Sequence, residues 1–465
     1  MSNVHLDDAQ RRSVLIRGCG IITMDPALGD LTTGDIHIRD GSIVAIGRDL
    51  NIAEAEVMEA SNMIAMPGFI DSHRHLWEGV LRNALPTEDL NGYFAIVNQG
   101  FARAYTAEDA CLGTLASALG ALDAGITTVF DWAHIQTTPE HTAATIAALR
   151  EASLRTVYGF GPPGRQDGPH RWPHDLLRLQ KEEFSSRDQL LTLALASLSP
   201  EHCPDEMAKA HFAMAHEAGL IVTVHAAMNG FGEPDQILRF GKEGQLGPHV
   251  QLVHCNTLTP DEWRIVADTG TSICFTPSSE MQMGHGVPPV QQAIDAGVLP
   301  SIGVDVETSA PGDMWTQMRL VYALQRMQSH EWKFKGGEAP RCIDCNDVLQ
   351  YATVAGAATT RLHDKVGALV PGRQADIILL RADMANVMPV NDMKSAVVLN
   401  MDARNVDTVM VAGKVVKRGG SLVGVDLAKL NARLYQSRDR LYAEADQPLR
   451  SAPHRLSFER RIVEA

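Results

Sequence analysis

The sequence predicts an α/β protein, a (β/α)8 TIM-like barrel with a small β-sandwich domain built from both chain ends. Eight units of a largely apolar strand and a helical stretch follow one another through the middle of the chain, over about 250 residues. Short β-like runs separated by turns dominate both ends, and neither end has enough strands for a core of its own. No glycine-rich dinucleotide fingerprint follows any of these strands, which favours a closed barrel over an open doubly wound sheet.

The two chain ends supply the strands of the predicted sandwich. Residues 35–39 and 42–46 flank Asp40-Gly41, which is a strong hairpin pattern. Further strands are predicted at 375–380, 396–399 and 409–416. The predicted organisation is a sandwich from residues 1–64 and 366–425, a barrel over 65–365, and a helical C-terminal tail over 426–465 that covers the barrel or a neighbouring subunit.

The predicted barrel strands are short apolar runs, as expected of a parallel sheet that is buried on both faces. The first extends over Met63–Ile70 and is followed by His73 and His75. The others are predicted at 125–130, 155–160, 191–197, 220–225, 249–254, 271–275 and 299–305.

Composition and charge exclude several classes of partner. The formal net charge of −15, from 41 basic and 56 acidic residues, argues against nucleic acid or an anionic membrane. No apolar run is long enough to span a bilayer, and the polar start does not have the pattern of a signal peptide. Seven cysteines in 465 residues are too few for a disulfide framework, and Cys342 and Cys345 lack a second ligand pair for zinc. We therefore expect a cytoplasmic, reduced protein, with a capped helix start at residues 346–349 directly after the cysteine pair.

The segment Asp71-Ser72-His73-Arg74-His75 follows the first barrel strand. In a strand, residues i and i+2 project from the same face, so His73 and His75 point the same way. Two neutral imidazoles on one face form half of a metal site. An isolated His-x-His would more often be two ordinary histidines, so the interpretation depends on the other strand ends.

Three more ligand candidates lie at predicted strand ends, namely His225, His254 and Asp305. The carboxyl ends of barrel strands meet on one rim, where the active sites of such barrels form. Three histidines and a carboxylate suit zinc, cobalt or manganese, with an open position for water. A metal there lowers the pKa of water and polarises a carbonyl, which is the chemistry of hydrolysis.

Together with the segments given next, these strand-end residues make the chain resemble the metal-dependent amidohydrolase superfamily over nearly its whole length. The matching segments are residues 67–75 and 366–376, together with the strand-end residues already named. The resemblance implies that His73, His75, His225 and Asp305 bind the metal. It further implies that His254 contacts the substrate carbonyl or metal-bound water, and that Asp305 is also the general base. Dinuclear members have a carboxylated lysine at strand 4, where this chain has Leu195-Ala196-Ser197-Leu198, so one divalent metal ion (Zn²⁺ or Co²⁺, or Mn²⁺) is expected.

One position departs from the deaminases of the superfamily, which have a glutamate three residues after the strand-5 histidine. Here that position is Met228, and methionine cannot transfer a proton. The sequence is most similar to the herbicide-hydrolysing branch, the molinate and phenylurea hydrolases. The resemblance implies attack of metal-bound hydroxide on a thiocarbamate or urea carbonyl, with release of a thiol or an amine. The alternative is deamination of a heterocyclic amine of the cytosine, guanine or aminotriazine type, and a third is a non-enzymatic member.

Residues just beyond the strand ends are candidates for binding a small-molecule substrate. The apolar candidates are Trp77, Trp132, Met228, Phe275, Met281 and Met283, with loop or interface packing as the alternative. His134 and His285 lie on rim loops and either orient substrate or serve a structural role. By resemblance, the protein is expected to be a homo-oligomer, a dimer or a tetramer.

Overall fold

The chain first enters a mixed sheet. The computed structural model describes residues 13–163, 171–199, 201–233 and 235–448, so residues 1–12 of the predicted sandwich and residues 449–465 of the predicted tail lie outside it. The first strands are β1 (Ser13–Ile21), β2 (Leu31–Arg39), β3 (Ser42–Gly47), β4 (Glu56–Glu59) and β5 (Met63–Pro67). The antiparallel pairing of β2 with β3 confirms the predicted hairpin, whose turn residues Asp40 and Gly41 both have positive φ.

Eight parallel strands then form the barrel, and each is hydrogen-bonded to the next one along the chain. They are β6 (Phe69–Arg74), β7 (Ile126–Ala133), β8 (Arg155–Phe160), β9 (Leu191–Ala196), β10 (Ile221–Ala226), β11 (Val250–His254), β12 (Ser272–Phe275) and β13 (Ser301–Ile302). The barrel closes just beyond β13, where the Asp305 N–H donates to the His73 carbonyl (2.9 Å) and the His75 N–H donates to the Asp305 carbonyl (3.1 Å). The predicted fold class is confirmed.

In the part of the chain that the structure describes, twelve α-helices of six residues or more accompany these strands. They are α1 (Ala107–Asp123), α2 (Pro139–Ala152), α3 (Leu176–Glu182), α4 (Asp205–Glu217), α5 (Gln236–Lys242), α6 (Pro260–Thr269), α7 (Pro277–Met283), α8 (Val290–Asp295), α9 (Met314–Phe334), α10 (Cys345–Ala352), α11 (Val354–Thr359) and α12 (Leu427–Glu444). Helix α10 begins at a capping box formed by Asp344 and Asp347, as predicted for this segment. Among the described residues, no helix combines the length and apolarity needed to cross a bilayer.

The chain returns to the mixed sheet with β14 (Ile377–Arg381), β15 (Val406–Val411), β16 (Lys414–Arg418) and β17 (Ser421–Leu422). Strand β14 pairs with β5, so strands from both chain ends form one sheet in the order β17-β16-β15-β14-β5-β1-β2-β3, with β4 beside β1. Its core contains apolar residues from both ends, including Ile16, Ile36 and Ile377.

The predicted strand Met63–Ile70 is in fact divided between two sheets. Gly68 separates β5 of the mixed sheet from β6 of the barrel, and its N–H donates to the Asp376 carbonyl (3.0 Å). A Cβ on Gly68 would lie 2.2 Å from side-chain atoms of Thr127. Glycine is therefore required where the chain passes tightly from one sheet to the other. The sequence does not show this break between the strands, because both strands are buried and the apolar run across them is continuous.

Two predicted strands near the C-terminus also differ from the structure. Residues 396–399 lie in a π-helical turn, Ala396–Asn400, which follows a short helix capped by Asp392 through the N–H of Ser395 (2.7 Å). The turn buries Val397 and Val398 completely, so packing overrides the strand preference of a β-branched pair. Residues 409–416 form the end of β15 and the start of β16, which turn at Ala412-Gly413.

The described part of the predicted tail contains α12, which packs against α1 and the segment that follows β6. Leu441 is completely buried in this contact. Ser437 donates a hydrogen bond to Asp109 (2.5 Å), and Arg440 pairs with the same carboxylate. Helix α12 thus supports the segment between β6 and α1, which forms one wall of the cavity described below.

Candidate metal centre and active site

Five polar side chains meet at the carboxyl ends of four barrel strands. His73 lies in β6 and His75 directly after it, His225 in β10, His254 at the end of β11, and Asp305 beyond β13. His254 (φ +79°) and Asp305 (φ +72°) both have left-handed backbone conformations, which residues with a Cβ rarely adopt. Such conformations concentrate at functional sites, where the surrounding structure stabilises them.

The donor atoms of this group have the spacing of ligands around a single ion. Nε2 of His73 lies 3.3 Å from Nε2 of His225 and 3.3 Å from Oδ1 of Asp305. Nε2 of His75 lies 3.3 Å from the same Asp305 oxygen. Ligands about 2.0–2.1 Å from a tetrahedral zinc ion are separated from one another by about 3.3 Å. The four side chains therefore fit one divalent metal ion.

Hydrogen bonds from the opposite ring nitrogens fix two of the imidazoles. His75 Nδ1 lies 2.9 Å from the carbonyl oxygen of Trp132, so Nδ1 donates and Nε2 presents its lone pair to the centre. His254 Nδ1 lies 3.1 Å from Oγ1 of Thr276 and 3.3 Å from Oε1 of Glu280. The Nε2 edge of His254 is left for the site.

The protonation states of the site suit metal binding. Burial lowers the pKa of His73 to about 3 and holds the pKa of His225 well below its usual range. Burial raises the pKa of Asp305, but hydrogen bonds from His73 and His75 reverse this and hold it well below its usual range. Burial also acts to lower the pKa of His75, yet the hydrogen bond and charge of Asp305 leave it raised. The ion therefore meets an ionised carboxylate from Asp305 and neutral imidazoles from His73 and His225.

A buried ionic network supports the histidine pair from behind. The Arg74 guanidinium, which is completely buried, donates to Asp71 (3.2 Å) and pairs with Glu307 (3.0 Å). Asp71 also accepts the N–H of Val304 (2.9 Å), one residue before Asp305. The network connects β6 to the chain beyond β13, so it fixes His73 and His75 relative to Asp305.

A cavity of about 660 Å³ opens over the metal-binding group. Its described walls include His75, His225, His254 and Asp305 on one side. The remaining walls are mainly apolar, aromatic or amide side chains, namely Leu90, Asn91, Tyr93, Phe94, Ala95, Asn98, Gln99, Trp132, Leu198, Met228, Phe231, Met283 and Val306, with Pro162, Pro163, His134, His202 and His285. Asp305 is the single carboxylate among these described residues.

The structure brings most of the predicted substrate-binding residues to this cavity. Trp132, His134, Met228, Met283 and His285 line it. Burial lowers the pKa of His134 well below its usual range and the pKa of His285 to about 4, so both rings are neutral near pH 7.

Three of the predicted substrate-binding residues do not line the cavity. Trp77 is buried behind His134, to whose Nδ1 its indole N–H donates (3.2 Å). Phe275 lies in the main barrel core, because its strand-end ring turns inward to pack there. Met281 is exposed on α7.

Sequence reasoning missed the wall between β6 and α1. Residues 90–101, which include Tyr93, Phe94 and Asn98, form a short helix and a π-helical segment over the cavity. Their position in the loop after the first barrel strand is a usable signal, since such loops form the rim of barrel active sites.

Glu78 was also missed. Its buried carboxyl accepts the hydroxyl of Tyr93 (2.5 Å), and it groups with His75 and His134 as a second set of potential ligands. Burial raises the pKa of Glu78 to about 8, so the carboxyl is largely protonated at neutral pH. His75 belongs to both groups, so this second set does not provide an independent complete site. At strand 4, where dinuclear members have lysine, the Ser197 hydroxyl instead contacts Nδ1 of His211 (3.1 Å).

A parallel barrel with imidazole and carboxylate ligands on its rim is the architecture of a metal-dependent hydrolase. The model of the Amidohydrolase family matches residues 64–416, and the chain belongs to that family.

Relatives of known activity cover almost the whole chain. A 5-methylthioadenosine/S-adenosylhomocysteine deaminase of Pelotomaculum thermopropionicum is 26% identical over 443 residues, which is 92% of this chain and 99% of the relative. A 5'-deoxyadenosine deaminase of Methanothermobacter thermautotrophicus is 26% identical over 426 residues, covering 88% of this chain and 94% of the relative.

Solved structures share the fold. An adenosine deaminase from Xanthomonas campestris with bound zinc has a TM-score of 0.81 at 21% identity and covers 93% of this chain and 99% of its own. A variant atrazine chlorohydrolase from Arthrobacter aurescens, complexed with zinc and atraton, has a TM-score of 0.81 at 23% identity and covers 91% and 100%.

These comparisons confirm the predicted superfamily but not the predicted branch. The relatives named above are deaminases and a triazine hydrolase, and neither a molinate hydrolase nor a phenylurea hydrolase is among them. They favour the alternative prediction, deamination, over hydrolysis of a carbamoyl carbonyl. The argument for carbamoyl hydrolysis therefore depends on Met228 in the sequence and on the cavity that surrounds it in the structure.

Proposed function

We propose that this protein is a mononuclear, zinc- or cobalt-dependent hydrolase of an acyclic carbamoyl-type carbonyl in a thiocarbamate or a phenylurea. The observation that carries the proposal is Met228, an apolar side chain in the cavity wall three residues after the metal-facing His225. A deaminase must deliver protons to a ring nitrogen and to departing ammonia, and methionine transfers none.

The rest of the cavity supports the proposal. Met228 and Met283 are almost fully buried, and with Phe231 and Val306 they form a flexible apolar wall. No described residue of the wall supplies a carboxylate in place of the missing glutamate. Such a surface suits an N,N-dialkyl or aryl group better than a polar heterocycle.

His73, His75, His225 and Asp305 would hold the ion. A divalent metal bound there would acidify water and polarise a carbonyl oxygen. Asp305, ionised in this structure, accepts the proton of the attacking water.

His254 is positioned to bind the carbonyl oxygen. Nδ1 of His254 contacts the Thr276 hydroxyl, and in the proposed mechanism the ring hydrogen lies on Nε2, the edge that faces the site. A hydrogen bond from Nε2 to the carbonyl oxygen strengthens as negative charge develops on that oxygen.

Departure of the leaving group needs little further help in this cavity. A thiolate leaves without protonation because it is a weak base, whereas an amine takes up the proton that Asp305 accepted. A single proton carrier therefore suffices for both proposed substrate classes.

The second candidate function is deamination of a heterocyclic amine, and the names of the relatives favour it. In this cavity the neutral imidazoles of His134 and His285 are the polar groups that could stand in for the glutamate. Each is a weaker proton carrier at neutral pH than a carboxyl group whose pKa is near 7, because its own pKa is depressed.

Product analysis of the metal-loaded protein decides between the two candidates. The panel comprises an N,N-dialkyl thiocarbamate, a phenylurea, 5'-deoxyadenosine, S-adenosylhomocysteine and an aminotriazine, with assays for thiol, amine and ammonia. We expect thiol or amine release and little ammonia. Efficient release of ammonia without carbamoyl turnover would make the deaminase assignment correct.

A matched pair of substitutions tests the role of Met228 directly. Met228→Leu keeps an apolar wall of similar volume, and we expect its carbamoyl turnover to stay within a few-fold of wild type. Met228→Glu places an ionisable group in an apolar wall at a desolvation cost, so carbamoyl turnover should fall at least about tenfold. Equal turnover by the two variants would show that the apolar character of this position is irrelevant to catalysis.

A further inference from the structure

His285 lies in the cavity wall, on a turn in which the residues before and after it have positive φ angles. The turn follows α7, and its flanking residues Gly284 (φ +80°) and Gly286 (φ +135°) adopt backbone conformations that favour glycine. A Cβ on Gly286 would lie 2.7 Å from Cβ of Asn256, so the chain passes close to the loop after β11. The side chain of His285 is only 2% exposed, although it lines the cavity.

Neither ring nitrogen of His285 has a hydrogen-bond partner among the described residues. Nearly all buried polar groups in folded proteins are hydrogen-bonded, because leaving one unpaired costs free energy. The other metal-site and cavity histidines with such bonds, His75, His134 and His254, use Trp132, Asn98 and Thr276. A buried, unpartnered imidazole at a cavity wall indicates that its partner comes from a bound molecule.

Two contacts fix His285 beside the reacting centre. The backbone N–H of Asn229 donates to the His285 carbonyl (2.8 Å), which places His285 next to Met228. The imidazole ring packs edge-to-face against His254, with centroids 4.6 Å apart. His285 therefore lies between the residue that faces the substrate carbonyl and the position at which the deaminases of the superfamily have glutamate.

We propose that the imidazole of His285 hydrogen-bonds the leaving-group atom of the substrate, the contact that Met228 cannot make. This inference rests on the proposed hydrolytic function, and it assigns His285 as a catalytic residue that determines which leaving groups are accepted.

The chemistry requires a hydrogen bond and no net transfer of a proton from His285. A neutral imidazole has one donor and one acceptor nitrogen. Its acceptor nitrogen takes a hydrogen bond from the N–H of the leaving nitrogen, and this bond strengthens as that nitrogen gains the proton that Asp305 accepted. A departing thiolate has no hydrogen to donate to that acceptor. The contribution of His285 should therefore be larger for an amine leaving group than for a thiol.

Substitution at His285, assayed with paired substrates, tests this assignment. The substrates share one N,N-dialkylcarbamoyl group and differ in the leaving group, which is an aniline or an alkyl thiol. His285→Phe preserves the ring that packs on His254 but cannot hydrogen-bond, and His285→Asn keeps a side-chain acceptor oxygen. His216→Phe, at an exposed histidine of α4 remote from the cavity, is the matched control.

We expect His285→Phe to lower kcat/KM for the urea about tenfold or more and for the thiocarbamate by a smaller factor. His285→Asn should recover part of the loss for the urea, and metal content should equal that of wild type in all variants. An equal loss for the two substrates, or no loss, would overturn the assignment, as would His285→Asn behaving like His285→Phe.

The inference and the proposed function fail in distinguishable ways. If the wild-type protein hydrolyses neither substrate, carbamoyl hydrolysis is rejected, and calorimetric binding of the phenylurea to the metal-loaded protein then tests His285. A several-fold weaker Kd for His285→Phe than for wild type and His216→Phe supports the contact. An unchanged Kd overturns it.

Discussion

At the scale of single residues, Asp305 links the closure of the barrel, the contacts with two histidines and the carboxylate of the cavity wall. Its backbone closes the barrel against His73 and His75, and its side chain faces both of their Nε2 atoms at 3.3 Å. The same carboxylate is the single one in the described cavity wall, and its pKa is held well below the usual range. Changes at the metal ligands and at Asp305 should therefore separate metal retention from proton transfer.

The first prediction concerns metal content. His225→Ala should lose most of its bound metal and its activity together, because a centre with three ligands left retains its ion poorly. Elemental analysis should give one divalent metal ion per wild-type chain and far less in the variant, with the exposed-site control His216→Ala unchanged. Two ions per active wild-type chain would contradict the mononuclear assignment.

The second prediction concerns proton transfer. Asp305→Asn keeps an oxygen ligand but cannot accept the proton of water, so kcat should fall about 10²-fold or more. Substrate binding should change less, since the cavity wall is mainly apolar. Steady-state kinetics at matched metal content measures the split between kcat and KM, and a near wild-type kcat would assign the base to another group.

At the scale of elements, the loops that follow neighbouring strands hold one another in place. Glu201, in the loop after β9, accepts the N–H of Ala227, in the loop after β10. Ala227 has a positive φ (+54°) and directly precedes Met228. The position of Met228 in the cavity therefore depends on a carboxyl group from another loop.

The third prediction follows from the pKa of Glu201, which burial raises from 4.5 to about 7. A raised carboxyl pKa means that the folded state favours the protonated form. Its stabilising contribution is complete below about pH 4.5 and is lost as the pH rises through 7. The melting temperature of Glu201→Gln, which retains an acceptor for Ala227, should therefore fall less than that of wild type between pH 5 and pH 8. Parallel pH profiles for the two proteins would contradict the raised pKa.

At the scale of the whole molecule, one buried ion pair joins the barrel to the mixed sheet. Arg155, the first residue of β8, donates from Nε and Nη2 to the two carboxylate oxygens of Asp376 (2.7 and 2.9 Å). Asp376 also accepts the N–H of Ala412 (2.7 Å), and both charged side chains are buried. The pair lies at the amino end of the barrel, opposite the metal-binding rim.

The fourth prediction is that Arg155→Met destabilises the fold without changing the chemistry. Removing one partner leaves the carboxylate of Asp376 buried and unpaired, which costs about 3–5 kcal/mol. Arg381→Met, which breaks an exposed pair with Asp383, should change stability by no more than about 1 kcal/mol. Denaturant unfolding measures the stability of both variants. The kcat of folded Arg155→Met protein then shows whether the chemistry is unchanged. Equal stability of the two variants would show that the Arg155 pair does not join the two sheets energetically.

Much of the fold and of the candidate site can be predicted from local sequence patterns. Alternating strands and helices specify the barrel, because a parallel sheet buried on both faces requires apolar strands connected by crossover helices. The same logic places His73, His75, His225, His254 and Asp305 together, since all of them end strands that share one rim. The sequence by itself therefore determined the fold class, the meeting of these five side chains at one rim and the methionine at position 228.

Tertiary structure decided what depends on contacts between distant segments. Gly68 divides one apolar run between two sheets because Thr127 and Asp376 pack against it. Val397 and Val398 form a helical turn because that conformation buries both side chains. The sequence leaves open whether His285 orients substrate or has a structural role, and only the fold shows its ring buried, without a partner among the described residues and packed on His254. The periodicity of apolar residues indicates which face of a helix or strand is buried. Which neighbour packs on that face is determined only when the whole chain has folded.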